Sequence, residues 1–308
     1  MASALVPEEV RRCFGYGDRS SESPLVALRG SGAKPPLFCM HPIGGTTVFC
    51  FDPLARALGP EQPVYGLQAR LANPARNGHE TIEAMAQRYL SAVRAARPEG
   101  PYHLCGWSLG GVVAFEMAQQ LTRAGIAVGS LTLFDTYVPL AHSRFDRGSI
   151  IKMIADNAKM QGLSVSPEEL CSLDIAEAQA RLEKLVEEAG WLPEGRAEAY
   201  IGGLMATIEA QAVALQRYVP KPYPGSMTLL RALDDVDASH EPAFNWSPLC
   251  AGSFHVHPVP GTHATMIFPP HVGELAEVLG RVLQGNAVRA QGSPSLREGS
   301  AEHVIAKE

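Results

Sequence analysis

The sequence predicts an α/β fold with a mostly parallel central sheet and one large helical insertion. Short apolar runs that suit buried strands alternate with segments whose apolar residues recur at helical spacing, a pattern typical of βαβ units. The alternation stops between about residues 142 and 218, where helical periodicity continues without a convincing strand. The chain has 308 residues, of which 46% are hydrophobic, and this is enough to bury a large core.

The first half of the chain contains four predicted strands and two predicted helices. The helix at residues 81–96 shows the periodicity most clearly, because its apolar residues recur at i, i+3, i+4 and i+7. The predicted strands cover residues 37–40, 64–67, 102–105 and 130–134, and the second helix covers residues 109–124.

The second half begins with the helical insertion and then returns to the alternating pattern. An all-helical block inserted into an α/β frame indicates a cap or lid. Three helices are predicted within it, at residues 150–160, 175–189 and 196–217. The frame resumes with strands at residues 227–233 and 254–259 and closes with a helix at residues 272–283 that carries an apolar stripe.

These patterns divide the chain into five parts. Residues 1–33 are polar and rich in Gly and Ser, and we expect them to form a flexible linker. Residues 286–308 carry Gly, Ser, Pro and charges without periodicity, which predicts a disordered tail. Between them we expect the α/β core in two parts, at residues 34–141 and 223–285, separated by the lid at residues 142–222.

Charge and cysteine content argue against several classes of function. The net charge is −6 and no Lys/Arg block is longer than two residues, which speaks against nucleic-acid binding and a polybasic membrane anchor. The six cysteines include no CxxC pair, so we expect free thiols in a reducing cytosol. We see no secretory signal and no run of about 18 apolar residues, and therefore expect a cytoplasmic protein without a membrane span.

Residues 106–110, Gly-Trp-Ser-Leu-Gly, match the pattern G-x-S-x-G around Ser108. The five residues alone are a weak signal, because serine and glycine are common and an ordinary glycine-rich turn is the alternative. Their context strengthens the signal, since an apolar strand precedes the motif and a helix follows it. Such a turn lifts the serine hydroxyl above the sheet, beside the unpaired N–H groups of a helix N-terminus. Ser108 is the predicted nucleophile.

A serine hydroxyl needs a neighbouring base that takes its proton. In folds with this motif, the nucleophile comes first in the chain, then the acid, then the histidine. His263 lies in a turn directly after a predicted strand and before the last helix, so it is the predicted general base. His255 and His257 alternate within the preceding strand and are expected to be structural, while His271 suits a surface position at a helix start.

Two positions compete for the acid that orients the histidine. Asp135 directly follows the apolar strand at residues 130–134, where a buried charge makes sense only if it is paired. Asp234 and Asp235 follow the next strand, in an acidic segment typical of a solvated loop. Both positions lie at the carboxyl edge of the predicted sheet, where ligands bind. We favour Asp135 and keep Asp234 or Asp235 as the alternative.

A further N–H donor for an oxyanion is expected from the loop after an early strand. Residues 41–45, His-Pro-Ile-Gly-Gly, supply a glycine-rich turn at that place. The backbone N–H groups of Ile43 and Leu109 are the candidate donors, although the segment by itself suits an ordinary turn equally well.

Four motifs in this order resemble those of type I thioesterase domains, α/β-hydrolases that end nonribosomal peptide, polyketide and fatty acid synthases. Residues 38–45 resemble the family's oxyanion loop, and residues 102–111 are very close to its nucleophile elbow. Residues 133–136 resemble the strand that carries the acid, and residues 261–263 resemble the histidine turn. The resemblance covers roughly residues 35–283, with the helical insertion matched only in kind.

The resemblance implies a serine thioesterase that binds no cofactor of its own. Its substrate would arrive on the phosphopantetheine arm of an upstream acyl or peptidyl carrier protein, and release by hydrolysis or by macrocyclisation stays open. The position of Asp135 resembles that of domains fused at the end of an assembly line, whereas discrete editing thioesterases tend to carry the acid after the later strand. The family often has Asp or Asn where this chain has Thr262, which is not a triad position.

Other functions remain compatible with these residues. A general carboxylesterase or lipase acting on free esters would use the same triad. A catalytically silent scaffold of the same fold would bind a ligand or partner, but such scaffolds commonly lack a triad member, and this chain has a candidate for each. A metal hydrolase is not supported, because His255 and His257 share a strand face with no third ligand at a recognisable spacing.

Overall fold

The computed structural model describes the α/β frame and most of the helical insertion. The described residues are 23–45, 48–71, 80–139, 148, 151, 153–155, 165–190, 192–234 and 245–285.

A seven-stranded sheet forms the centre of the described structure. In chain order its strands are β1 (Leu25–Arg29), β2 (Leu37–Met40), β3 (Val64–Leu67), β4 (Tyr102–Trp107), β5 (Val128–Phe134), β6 (Met227–Ala232) and β7 (Phe254–Val259). They lie in the order β1-β3-β2-β4-β5-β6-β7, and every neighbouring pair is parallel except β1 with β3. The prediction of a mostly parallel sheet is confirmed.

The edge strand β1 corrects the prediction that residues 1–33 form a linker throughout. Residues 25–29 pair antiparallel with β3 and belong to the sheet. They are half-buried or exposed, and their pairing is irregular after Ala27, so they show neither a buried apolar run nor a clean alternation. Residues 1–22 of the expected linker and the expected tail at residues 286–308 lie outside the described residues.

Helices cover both faces of the sheet, as a parallel sheet requires. In chain order they are α1 (Asp52–Ala57), α2 (Ile82–Ala96), α3 (Leu109–Arg123), α4 (Pro167–Ser172), α5 (Ile175–Glu188), α6 (Ala197–Arg217) and α7 (Val272–Leu283). Neighbouring residues of β4 point to opposite faces: Leu104 joins the core cluster of α2 and α3, and Cys105 joins that of α1 and α7. The helix expected at residues 150–160 is described only at residues 151 and 153–155, which are helical.

Helices α4, α5 and α6 lie between β5 and β6 in the chain and share a third apolar cluster. Leu182 of α5 and Ile201 of α6 are fully buried members of this cluster. The C-terminal part of α6 differs, because Ala214 and the following Tyr218 belong to the core cluster of α2 and α3. Helix α6 therefore joins the insertion to the α/β core.

No helix among the described residues is both long and apolar enough to cross a membrane. None of the five cysteines that the structure describes forms a disulfide. The Sγ atoms of Cys39 and Cys105 lie 3.3 Å apart, because these residues pair in register on β2 and β4.

Candidate active site

The parallel strands bring the candidate residues to one edge of the sheet. The last residues of β4 and β5, Trp107 and Phe134, are paired in register, as are Ala232 and Val259 at the ends of β6 and β7. Segments that follow parallel strands emerge at the same edge. The segments at this edge are residues 41–45, Ser108, Asp135, Asp234 and the turn that carries His263.

Ser108 stands on a tight turn between β4 and α3. Its backbone has φ 57° and ψ −122°, a conformation that is strained for a residue with a side chain. The Ser108 N–H donates to the carbonyl oxygen of Phe134 at 3.0 Å, and the Gly111 N–H donates to the Ser108 carbonyl at 3.0 Å. Ser108 is only half-buried, so this turn presents its hydroxyl as a nucleophile elbow does.

The two glycines of the motif are required by close packing around this turn. A Cβ atom at Gly106 would collide with the carbonyl group of Gly110. A Cβ atom at Gly110 would collide with the carbonyl oxygens of Met40 and His41. The N-terminus of α3 thus lies against the loop that follows β2, which brings the two segments of the predicted oxyanion site together.

His263 and Asp135 form a hydrogen-bonded pair, with Nδ1 of His263 2.7 Å from Oδ2 of Asp135. The Asp135 side chain is 2% exposed, and its Oδ1 accepts a hydrogen bond from the Ala232 N–H at 3.0 Å. Because an ionised carboxylate only accepts hydrogen bonds, the proton of the neutral imidazole lies on Nδ1. Nε2 then keeps its lone pair, which is the form that a general base needs.

The turn that carries His263 is attached to the elbow and to the end of β6. Nε1 of Trp107, the residue before Ser108, donates to the His263 carbonyl oxygen at 3.0 Å. The Asp234 carboxylate accepts from the Gly261 N–H at 3.2 Å, and the Asp234 N–H donates to the Gly261 carbonyl at 3.0 Å. Among the competing acids, Asp135 contacts the imidazole ring and Asp234 holds the backbone of the turn, while Asp235 lies outside the described residues.

The loop after β2 forms a turn that carries the second candidate oxyanion donor. In the turn at residues 41–45, the Gly44 N–H donates to Oε1 of Gln211 on α6 at 2.7 Å. Among the described residues, neither the Ile43 N–H nor the Leu109 N–H has a hydrogen-bond acceptor. Leu109 is the first residue of α3, whose opening N–H groups have no partner within the helix. Both donors are therefore available to a substrate oxygen.

His41 supports this turn and is not a second base. Its Nδ1 lies 2.6 Å from the Pro42 carbonyl oxygen and its Nε2 lies 2.6 Å from the Tyr89 hydroxyl. Since a carbonyl only accepts, Nδ1 donates and Nε2 accepts from Tyr89. Burial lowers the pKa of His41 to about 4, so the ring is neutral near pH 7.

The other histidines near the end of the chain have structural surroundings. The rings of His255 and His257 stack within β7 with centroids 6.4 Å apart, and burial lowers the pKa of His257. The ring of His271 packs where a Cβ atom at Gly261 would lie. In the part of the chain that the structure describes, no group of three or more His, Cys, Asp or Glu residues could hold a metal ion.

Sequence reasoning did not anticipate Trp107, Ala232 or Gln211 as partners of the candidate residues. Trp107 lies within the recognised motif, but its hydrogen bond reaches a residue 156 positions away. Gln211 carried a local signal, because helical spacing places this polar residue on the same face as Leu204 and Ile208.

The fold and the position of Ser108 define an enzyme of the α/β-hydrolase class. Comparison with known proteins narrows that class. The family model described as thioesterase domain matches residues 35–283, so the chain belongs to the thioesterase domain family, and the resemblance in the motifs is confirmed.

Relatives in this family are parts of large synthetases. The chain is 30% identical over 265 residues to a dimodular nonribosomal peptide synthase of Bacillus subtilis, an alignment that covers 83% of this chain. This chain spans only 11% of that synthase.

Solved structures show the same similarity. The four-domain nonribosomal peptide synthetase holo-AB3403 matches 87% of this chain with a TM-score of 0.74 and 26% identity, over 20% of its own length. The NocB thioesterase domain, solved as a covalent complex with a fluorophosphonate nocardicin G analog, matches 85% of this chain over its full length, with a TM-score of 0.62 and 25% identity.

Proposed function

We propose that this domain releases an acyl, peptidyl or polyketide chain from the phosphopantetheine arm of a carrier protein through an acyl-enzyme on Ser108. The hydrogen bond of 2.7 Å between His263 and Asp135, at the same sheet edge as Ser108, carries the proposal. It leaves an imidazole nitrogen ready to take a proton. The similarity to nonribosomal peptide synthases supports a carrier-bound substrate and an upstream carrier protein as partner.

In the first half-reaction, Oγ of Ser108 attacks the thioester carbonyl carbon while Nε2 of His263 takes the hydroxyl proton. The carbonyl electron pair moves to oxygen, and the N–H groups of Ile43 and Leu109 stabilise this oxyanion. Asp135 stabilises the imidazolium that forms. When the intermediate collapses, the carbon–sulfur bond breaks, and the pantetheine sulfur leaves as a thiol with the proton from His263.

In the second half-reaction, the acyl-enzyme ester is attacked by a nucleophile that His263 deprotonates. Water gives a free acid, whereas a hydroxyl or amine of the bound chain gives a cyclic product. In both cases the proton passes through His263 to Ser108, which leaves as the free hydroxyl. The helices α4 to α6 act as a lid over this edge and influence the choice by limiting the access of water.

The nucleophile is tested with Ser108→Ala and an acyl-pantetheine thioester. Turnover should fall by roughly 10⁴ or more, because the covalent route is lost. A fluorophosphonate probe should label the wild-type protein once by intact mass and leave Ser108→Ala unlabelled. Ser91→Ala, which removes an exposed hydroxyl on α2, is the matched control and should behave as wild type. Substantial turnover by Ser108→Ala would refute the proposal.

The substrate class is tested by pairing each thioester with the matched oxygen ester. A preference for the pantetheine thioester supports chain release from a carrier, and equal rates would indicate a general carboxylesterase.

Exchanging apolar residues of α6, such as Leu204 and Met205, tests the lid function of the insertion. We expect a changed chain-length preference or a changed ratio of hydrolysis to cyclisation, and an unaltered product profile would refute the lid function.

A further inference from the structure

Gln211 is a buried polar residue of α6 that reaches out of the insertion to the loop after β2. It is 3% exposed, and its Oε1 accepts the Gly44 N–H at 2.7 Å. Its Nε2 faces Gly45, where an added Cβ atom would lie 3.1 Å away. Burying a carboxamide without partners is unfavourable, so this contact explains a polar side chain at an otherwise apolar position.

The hydrogen bond fixes the peptide unit next to the candidate oxyanion donor. Gly44 and Gly45 have φ values of 92° and 65°, and the Gly45 N–H donates to the Pro42 carbonyl at 3.2 Å. The Gly44 N–H is held by Gln211. Glycine backbone in this region is intrinsically permissive, so the hydrogen bond from Gly44 to Gln211 helps to select one orientation of the turn. With that orientation set, the Ile43 N–H is left for a substrate oxygen.

Two further contacts fix the position of α6 relative to this turn. The Ile43 side chain packs against both the insertion cluster and the core cluster of α2 and α3. Seven residues after Gln211, the buried Tyr218 hydroxyl donates to Oε2 of Glu116 on α3 at 2.9 Å. Tyr218 directly follows α6, so this bond anchors the C-terminal end of the helix to the core. Helix α3 also begins directly after Ser108.

We propose that Gln211 is a positioning residue for acylation, which holds the turn at residues 41–45 so that the Ile43 N–H faces the oxyanion. The inference rests on the proposed function of Ser108 and adds a dependence on the helical insertion. The oxyanion site is complete only while α6 keeps its place against the loop.

The test compares Gln211→Met with Gln179→Met. Gln179 lies on α5 in the same insertion, and its Nε2 donates to Oε1 of Glu183 one turn further along the same helix, at 2.7 Å. The measurements are the single-turnover rate of Ser108 acylation by an acyl-pantetheine thioester, followed by intact mass, the KM, and the melting temperature. We expect Gln211→Met to acylate roughly 10- to 100-fold more slowly with an unchanged KM, because a displaced oxyanion donor costs this much. Gln179→Met should acylate as wild type does.

A purely structural role would lower the melting temperature of Gln211→Met and leave its acylation rate unchanged, and this result would overturn the inference. If Gln211→Met does not fold, Gln211→Asn replaces it, because its carboxamide is one methylene shorter and no longer reaches the Gly44 N–H. Gln211→Asn should also acylate more slowly than Gln179→Asn. An equal rate in the two Asn variants would overturn the inference.

The two proposals fail in different ways. If the wild-type protein forms no adduct on Ser108, the proposed function falls and the role of Gln211 falls with it. If wild type and Gln211→Met are acylated at the same rate, only the role of Gln211 is lost.

Discussion

The replacement Asp135→Asn should disable the histidine while leaving the fold almost unchanged. Oδ2 of Asp135 contacts Nδ1 of His263, and Oδ1 accepts the Ala232 N–H. Asparagine has one oxygen acceptor and one NH₂ donor. Because the Ala232 N–H can only donate, the amide oxygen must face Ala232, and the NH₂ group must face the imidazole. His263 then adopts the other tautomer, in which Nε2 carries the proton and cannot take one from Ser108.

The magnitude follows from this change of tautomer. In a serine protease triad the equivalent replacement lowers kcat by roughly 10⁴, with the geometry intact. Each factor of ten corresponds to about 1.4 kcal/mol, so the barrier should rise by about 5 kcal/mol. Asp234→Asn should behave differently, because asparagine keeps an oxygen for the Gly261 N–H and Asp234 is exposed. Asp234→Asn should raise the barrier by about 0.5 kcal/mol or less, which lowers the rate roughly twofold.

Both variants would be assayed by kcat/KM with an acyl-pantetheine thioester and by the rate of fluorophosphonate labelling, with circular dichroism as the check on folding. If Asp135→Asn loses less kcat/KM than Asp234→Asn, the reasoning is refuted. The acid that orients His263 would then be assigned to the segment after β6.

Three further predictions concern stability, each measured by urea unfolding. The pKa of His41 is lowered from 6.5 to about 4 in the folded protein. Between these values the unfolded chain binds a proton that the folded protein does not, so stability should fall as pH drops from 6.5 to 4, by up to about 3 kcal/mol. His41→Gln should show a shallower dependence, and equal slopes would contradict the assignment. Gly110→Ala should cost about 1–3 kcal/mol, because its Cβ meets the Met40 and His41 carbonyls, whereas Gly280→Ala on α7 meets nothing and should not destabilise. A similar cost for both would argue against the close approach. Tyr218→Phe should cost about 1–3 kcal/mol, because Oε2 of the buried Glu116 loses its donor. Tyr65→Phe loses a longer and exposed hydrogen bond to Gly30, so it should lower the free energy of unfolding by less. A larger loss for Tyr65→Phe than for Tyr218→Phe would contradict the stabilising role of the buried Tyr218 hydroxyl.

Local patterns were enough to predict the frame of the fold. Strands β2 and β4 are buried on both faces, so each appears in the sequence as a short continuous apolar run. Helix α2 is amphipathic and is capped at its N-terminus by Thr81, whose side chain accepts from the Ala84 N–H. Strand β1 could not be found in this way, because an edge strand that is half-buried shows neither pattern.

The candidate site was only partly predictable, since its decisive contacts link distant parts of the chain. Ser108 carries a local signature, because close packing around the turn between strand and helix requires Gly106 and Gly110. The sequence favoured Asp135 but left Asp234 open, as both follow strands that end at the same edge. Their different partners result from contacts across 128 and 27 residues, respectively. The partner of Gln211 is 167 residues away, and no spacing rule connects them.

The dual attachment of α6 gives the helix the mechanical character of a lever. With Tyr218 as the pivot, Tyr200 near the opposite end is roughly 27 Å away at 1.5 Å per residue. A swing of about 10° then moves Tyr200 by about 5 Å and Gln211, roughly 10 Å from the pivot, by about 2 Å. A shift of about 2 Å would break the 2.7 Å hydrogen bond to Gly44, so a movement of the insertion would be transmitted to the turn that carries the Ile43 N–H.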